Sequence, residues 1–264
     1  GGYAEEFGSL TVARYNTSAV ASSTRGVFAG GFVGPMNNTM DYITIAATGN
    51  ALDFGDLTGA RHQLGALSND TRGLLCGGYV SPTDQNTIDY VTIATTGDAI
   101  NFGDLIGAIV TTGPAGVASP TRGCIGGGST PSASNVIAYV TIATTGNAAD
   151  FGDLTQARSN VAGLSSPTRG VFCGGTSVNT VDYITIATTG NAAEFGDLYT
   201  GAYLLGATSN SIRGIQTGGN PGPGRSDIQT IIIASTGNST RWGDLTQTTG
   251  PNSATSDSHG GLSE

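Results

Sequence analysis

The chain has 264 residues, 38% of them hydrophobic and only 11% charged, with 43 Gly, a length for one large domain or two small ones whose regular β-branched clusters exclude disorder. Its ten basic residues are all Arg and face 19 acidic ones, for a net charge of −9. That acidity repels phosphate, so nucleic acid and anionic membrane are excluded as partners. No apolar run of about 18 residues offers a helical membrane span, and no signal peptide is visible.

The chain opens on GGYAEEFGSL, with Gly where an initiating Met would stand, the mark of a processed, excised or incompletely recorded sequence. This segment aligns with TGNAAEFGDL at 189–198, so residues 1–10 read as the tail of a hairpin turn followed by one strand. From there the text repeats. FGDL or a variant begins at Phe7, Phe54, Phe102, Phe151, Phe195 and Trp242, at steps of 44 to 49 residues. TRG or a variant places Arg25, Arg72, Arg122, Arg169 and Arg213 at matching offsets, and a Gly pair closes each following strand, at Gly30, Gly77, Gly126, Gly174, Gly218 and Gly260. Such a period with β-rich text predicts an all-β propeller of four-stranded antiparallel blades.

Leu154–Leu198 shows one unit. ARSNVAGLSS is a strand of small residues suited to a crowded central channel, and PTRG is a turn. GVFCGG is an apolar strand, TSVNT a variable loop and VDYITIAT a β-branched strand. TGNA is a hairpin turn in which Gly190 and Asn191 supply positive φ, and AEFGDL is the last strand. Tyr42, Tyr90, Tyr139 and Tyr183 share one register and are expected beside the FGDL aromatic, which wedges between blades. Cys76, Cys124 and Cys173, one per repeat and without a CxxC pair, read as small apolar residues, neither a disulfide framework nor a zinc site.

Complete repeats span about 11–57, 58–105, 106–154, 155–198 and 199–245, within one domain over 1–264. Residues 246–264 with 1–10 make a composite closing blade, the former as far as a second strand and the latter as a last one. Six blades are therefore expected, the sixth lacking its third strand, which offers an assembly point for strand addition from another chain. A five-bladed ring with spare ends is the alternative.

The Gly-Gly, Tyr, aromatic and L-x-x-A-R order (Leu57–Arg61, Leu154–Arg158) resembles the kelch repeat, with Phe where kelch has Trp, except at Trp242. The text DYITIATTGNAADFGDLT…PTRGVFCGG is similar to repeats in structural and tail-associated proteins of marine cyanophages. The resemblance implies a propeller on a virion or outside the cell, with no assigned chemistry.

The repeated Arg have two readings: a ligand ring about the axis, or pairs with the FGDL Asp of an adjacent blade, Asp56, Asp104, Asp153, Asp197 or Asp244. Repetition in every blade favours the architectural one. Catalytic motifs are absent. His62 in GARHQLG reads as a surface residue, and His259 falls in the segment aligned with TRG, where the Arg is expected. No elbow, P-loop, dinucleotide or EF-hand spacing appears, and no metal or cofactor is expected. N-x-[ST] matches at Asn16, Asn37, Asn69 and Asn238 are weak in so Thr- and Ser-rich a chain. The variable loops after each Gly pair share one face, and binding groups favour variable loops on a rigid frame. Their polar candidates are Asn37, Asn38, Asp84, Gln85, Asn86, Arg225 and Asp227. The expected function is a non-enzymatic structural or adhesion module that binds a surface glycan or a partner protein. The alternative is a glycan-active propeller enzyme, which requires an asymmetric carboxylate cluster in a deep central pocket.

Overall fold

The computed structural model describes residues 4–107, 113–129, 131–176, 178–201, 203–219, 225–249, 253–256 and 258–262. Five four-stranded antiparallel sheets fill most of it, each in simple up-and-down order. Blade one is Ser18–Ala21, Arg25–Ala29, Thr39–Thr44 and Leu52–Asp56; blade two is Gly65–Ser68, Arg72–Cys76, Thr87–Thr92 and Ile100–Asp104. Blade three is Ala115–Ala118, Arg122–Gly126, Val136–Thr141 and Ala149–Asp153; blade four is Ala162–Ser165, Arg169–Cys173, Thr180–Thr185 and Ala193–Asp197. Blade five is Gly206–Ser209, Arg213–Thr217, Arg225–Ile232 and Thr240–Thr249. The β-propeller expected from the repeat is present, and no helix of the described residues is long and apolar enough to cross a membrane.

The first strand of every blade lines the axis, which explains its Gly, Ala and Ser. A Cβ at Gly163 would strike the Gly116 carbonyl oxygen, and one at Gly116 the Ala66 carbonyl oxygen. Serines at the end of these strands lace neighbours together: Ser68 Oγ accepts from Ala21 N–H, Ser165 Oγ from Ala118 N–H and Ser209 Oγ from Ser165 N–H. Farther out, apolar side chains bury between blades. Phe54, Phe102, Phe151 and Phe195 are 2–3% exposed, and each meets the Tyr of its own blade edge-on at 6.0–6.1 Å. Burial on that scale contributes about 1.5–3 kcal/mol per ring.

The repeated Arg does not pair with the FGDL carboxylates. Its guanidinium lies 4.3–4.6 Å from the Tyr ring of its own blade. It then donates across the interface, Arg25 to the Ile93 carbonyl, Arg72 to Ile142, Arg122 to Ile186 and Arg169 to Ile233, at 2.8–3.0 Å. Asp56, Asp104, Asp153 and Asp197 instead bond the next blade through their backbone. Each carbonyl accepts from Ala99, Ala148, Ala192 or Ser239, and each N–H donates to the side-chain oxygen of Asp98, Asn147, Asn191 or Asn238. The hairpin Asn thus serves as a cross-blade acceptor, and only its Gly neighbour takes positive φ, +154° at Gly190.

The expected sixth blade is corrected to the five-bladed alternative: five blades are complete, and no sixth four-stranded sheet forms among the described residues. The two terminal segments nevertheless repeat the contacts of a blade's first and fourth strands. Gly73, Gly123, Gly170 and Gly214 abut Val20, Leu67, Val117 and Leu164 of the preceding first strand, and Gly26 abuts Thr255 in the same way. On the outer side Phe7 O accepts from Gly49 N–H, Ser9 O from Ala51 N–H, and Ser9 N–H donates to Asn50 Oδ1, matching each true fourth strand. Residues 253–256 and 7–10 therefore mark a sixth place in the ring. Among the described residues neither middle strand is present there, where the third alone was expected to be lacking. Residues 258–262 do not form the expected second strand, because they turn into the channel: a Cβ at Gly260 would meet Ser166 backbone, and one at Gly261 the Ser68 carbonyl.

Candidate functional site

The channel has two ends. The end toward the TRG turns is lined by all five first strands and by Ala254–Ser256, with His259 set into it. His259 Nε2 donates to Ala21 O at 2.9 Å and lies 3.1 Å from Ser68 Oγ, while Gly261 N–H donates to Nδ1 at 3.1 Å. That acceptor role leaves the proton on Nε2, and burial pushes the pKa of the ring down. The residue expected at the Arg position of TRG is thus a channel plug.

The other end opens between the fourth-to-first-strand connections, as a cavity of about 130 Å³. One residue per blade here is left-handed: Asn16, Gln63, Asn160 and Leu204 at φ +56° to +58°, and Gly113 at +67°. For the non-glycine members this conformation costs about 1–2 kcal/mol each, offset by a girdle of backbone bonds. Gln63 N–H donates to Asn16 O, Gly113 to Gln63 O, Val161 to Gly113 O and Leu204 to Asn160 O, at 3.1–3.3 Å. The Oδ1 atoms of Asn16 and Asn160 are buried there with no hydrogen-bond partner among the described residues. Buried amide oxygens are rarely left so, and strain gathers where a surface is built for use.

Beside this mouth runs a row of rings. Tyr15 meets Phe32 at 5.5 Å, Phe32 meets His62 at 5.7 Å and His62 meets Tyr79 at 5.7 Å. Backbone bridges Tyr15 to Phe32 and His62 to Tyr79 hold the spacing. Tyr15 is 52% exposed. His62 is not an ordinary surface residue: burial pushes its pKa down, and Nδ1 is buried with no partner among the described residues. The signal was an aromatic directly after Gly-Gly (Phe32, Tyr79) and after Ala-Arg (Tyr15, His62) in the first two repeats only.

The variable-loop candidates divide. Asn37 Oδ1 accepts from Thr39 N–H and Gln85 Nε2 donates to Thr83, so both shape their own turns. The Asn38 and Asn86 carbonyls accept from Leu57 and Leu105 N–H, and Asp84 pairs with Tyr79 in a two-residue hairpin. Arg225 and Asp227 form an ion pair at 2.7 Å, joined by Arg241 and Asp244 on blade five. No hydrogen bond or ion pair among the described residues joins that pair to the blade one and two set.

Ion pairs within the repeat passed unread in the sequence. Arg14–Asp41, Arg61–Asp89 and Arg158–Asp182, at 2.7–2.8 Å, are at most 3% exposed. A Thr hydroxyl and N–H complete the carboxylate's partners, from Thr11, Thr58 and Thr155. Burial pulls the Arg61 and Arg158 pKa down, opposed by the partner carboxylate. The signal was concerted loss: where Asp gives way to Ala138 or Gln229, the Arg also goes. The thiols are inert by burial, Cys76, Cys124 and Cys173 each pushed up to about 12. No group of three His, Cys, Asp or Glu among the described residues is arranged to hold a metal ion, and no carboxylate lines either described end of the channel.

Comparison with protein-family models finds no match, and a search of curated proteins finds no relative.

Proposed function

We propose that this chain is a non-enzymatic structural and adhesion propeller, on a virion or outside the cell, whose loop face binds a surface glycan or a partner protein. The observation that carries the binding half is the ring row Tyr15–Phe32–His62–Tyr79, open to solvent at Tyr15. Flat apolar faces suit a sugar, which offers C–H faces to stack against them. The net charge of −9 directs the choice to neutral glycans. The location rests on the kelch-like and phage-tail-like repeats.

A glycolytic reading needs two opposed carboxylates, and the described channel lining supplies none. The test is an array of neutral oligosaccharides probed with the wild-type protein and with Tyr15→Ala, chosen because Tyr15 is exposed. A binder that loses about tenfold in affinity on the substitution, equivalent to about 1.4 kcal/mol, supports the reading. No binder, or equal binding by both proteins, overturns the glycan part.

A further inference from the structure

We propose that the sixth place of the ring is a docking site for a two-stranded β-hairpin from outside residues 1–264, built like the second and third strands of this protein's own blades. The inference stands on the wedge alone and holds whether or not the loop face binds a glycan.

Both walls lack what the other interfaces have. On blade five, Trp242 is 36% exposed, whereas its aromatic equivalents in blades one to four are 2–3% exposed. Arg213 donates to no carbonyl among the described residues and lies 6.0 Å from the Trp242 ring. Its four counterparts all reach a third-strand Ile carbonyl in the following blade. On blade one, Phe28, Ile43 and Ile45 are only half-buried, while Phe172, Ile184 and Ile186 at the same positions of blade four are 0–3% exposed. Against the blade-one wall lies a largely apolar cavity of about 340 Å³, lined by Phe7–Leu10, Tyr15, Phe28, Ile43 and Ser253. Residues 253–256 and 7–10, at the inner and outer edges of the wedge, pair with no strand on the wedge side among the described residues, so each offers a row of backbone donors and acceptors.

The five complete blades specify the occupant. It is antiparallel, places apolar side chains against Trp242 and Ile43, and presents a carbonyl to Arg213. It is neutral where Asp182 stands in blade four, because the sequence puts Thr249 at the position of Arg158 and a buried carboxylate there has no cation. A second copy does not qualify: its hairpins already sit inside its own blades, and groove against groove supplies no strand.

Trp242 is the single Trp of the chain and reports occupancy directly. The full chain is titrated with a synthetic peptide of residues 169–186 carrying Cys173→Ser and Asp182→Asn, following Trp emission. The expected result is a saturable blue shift. Affinity falls at least tenfold for the Arg213→Ala protein, the loss of one charge-assisted hydrogen bond, and at least tenfold for the peptide that keeps Asp182. No saturable shift at millimolar peptide, or an equal shift with a scrambled peptide, overturns the proposal. A blue shift of the protein alone on concentration, with doubled mass in sedimentation, overturns it in favour of a second copy.

Discussion

Arg169 and Arg213 are the same residue at the same position of adjacent blades, so replacing each by Ala isolates one cross-blade contact. Arg169 donates to the Ile233 carbonyl at 2.8 Å and lies 4.4 Å from the Tyr183 ring. A hydrogen bond from a charged donor contributes about 1.5–3 kcal/mol, and a partly exposed cation–π contact about 0.5–1 kcal/mol. Because Arg169 is half-buried, the loss falls in the lower part of the sum, about 2–3 kcal/mol. At about 2–4 °C per kcal/mol for a chain of this size, Arg169→Ala lowers the Tm by about 4–12 °C. Arg213 is exposed, lies 6.0 Å from the Trp242 ring and donates to no carbonyl among the described residues, so Arg213→Ala stays within about 0.5 kcal/mol, a shift of at most about 2 °C. Calorimetric scans at one protein concentration and scan rate measure both. Equal shifts refute the reasoning, since they mean that Arg213 already has the partner its siblings have.

Two further outcomes follow from the buried charges. Arg158→Ala strands Asp182 and costs about 3–5 kcal/mol, whereas Arg158→Ala with Asp182→Ala recovers part of the loss, as blade three, with Ala138 at the Asp position, implies; urea midpoints at constant slope check this. His259, neutral in the fold with its pKa pushed below 6.5, contributes stability present above about pH 6.5 and lost as pH falls through the folded value. Protonation adds an N–H at Nδ1, where Gly261 N–H already donates. Residues 258–262 should therefore detach in acid, seen as faster cleavage by a C-terminal protease below about pH 6, and His259→Gln should flatten that profile.

Much of the fold was legible because each blade is a local unit. The spacing of Phe54, Phe102, Phe151 and Phe195 predicted four-stranded blades, and the Tyr–Phe packing followed from one strand register. Partners between blades were less legible, since repetition says that a residue is structural without saying what it touches. The TRG Arg chose a backbone carbonyl over the FGDL carboxylate because Tyr183 and its equivalents hold the guanidinium over a ring aimed at the next blade. The Tyr15–Phe32–His62–Tyr79 row escaped notice because its members lie in different connections, each ordinary alone.

The sequence by itself determined the blade: alternation, turn residues and the 44 to 49 residue step suffice, because hairpin pairing is local and its hydrophobic face is written in every copy. It also determined that the count of strands does not close evenly. Only the tertiary structure decided where the shortage falls. Residues 7–10 take the outermost position through backbone bonds to Gly49 and Ala51, and residues 253–256 the innermost, where Thr255 abuts Gly26, while no strand among the described residues fills the middle of that wedge. The tertiary structure alone shows the consequence, an Arg213 without its carbonyl beside an exposed Trp242.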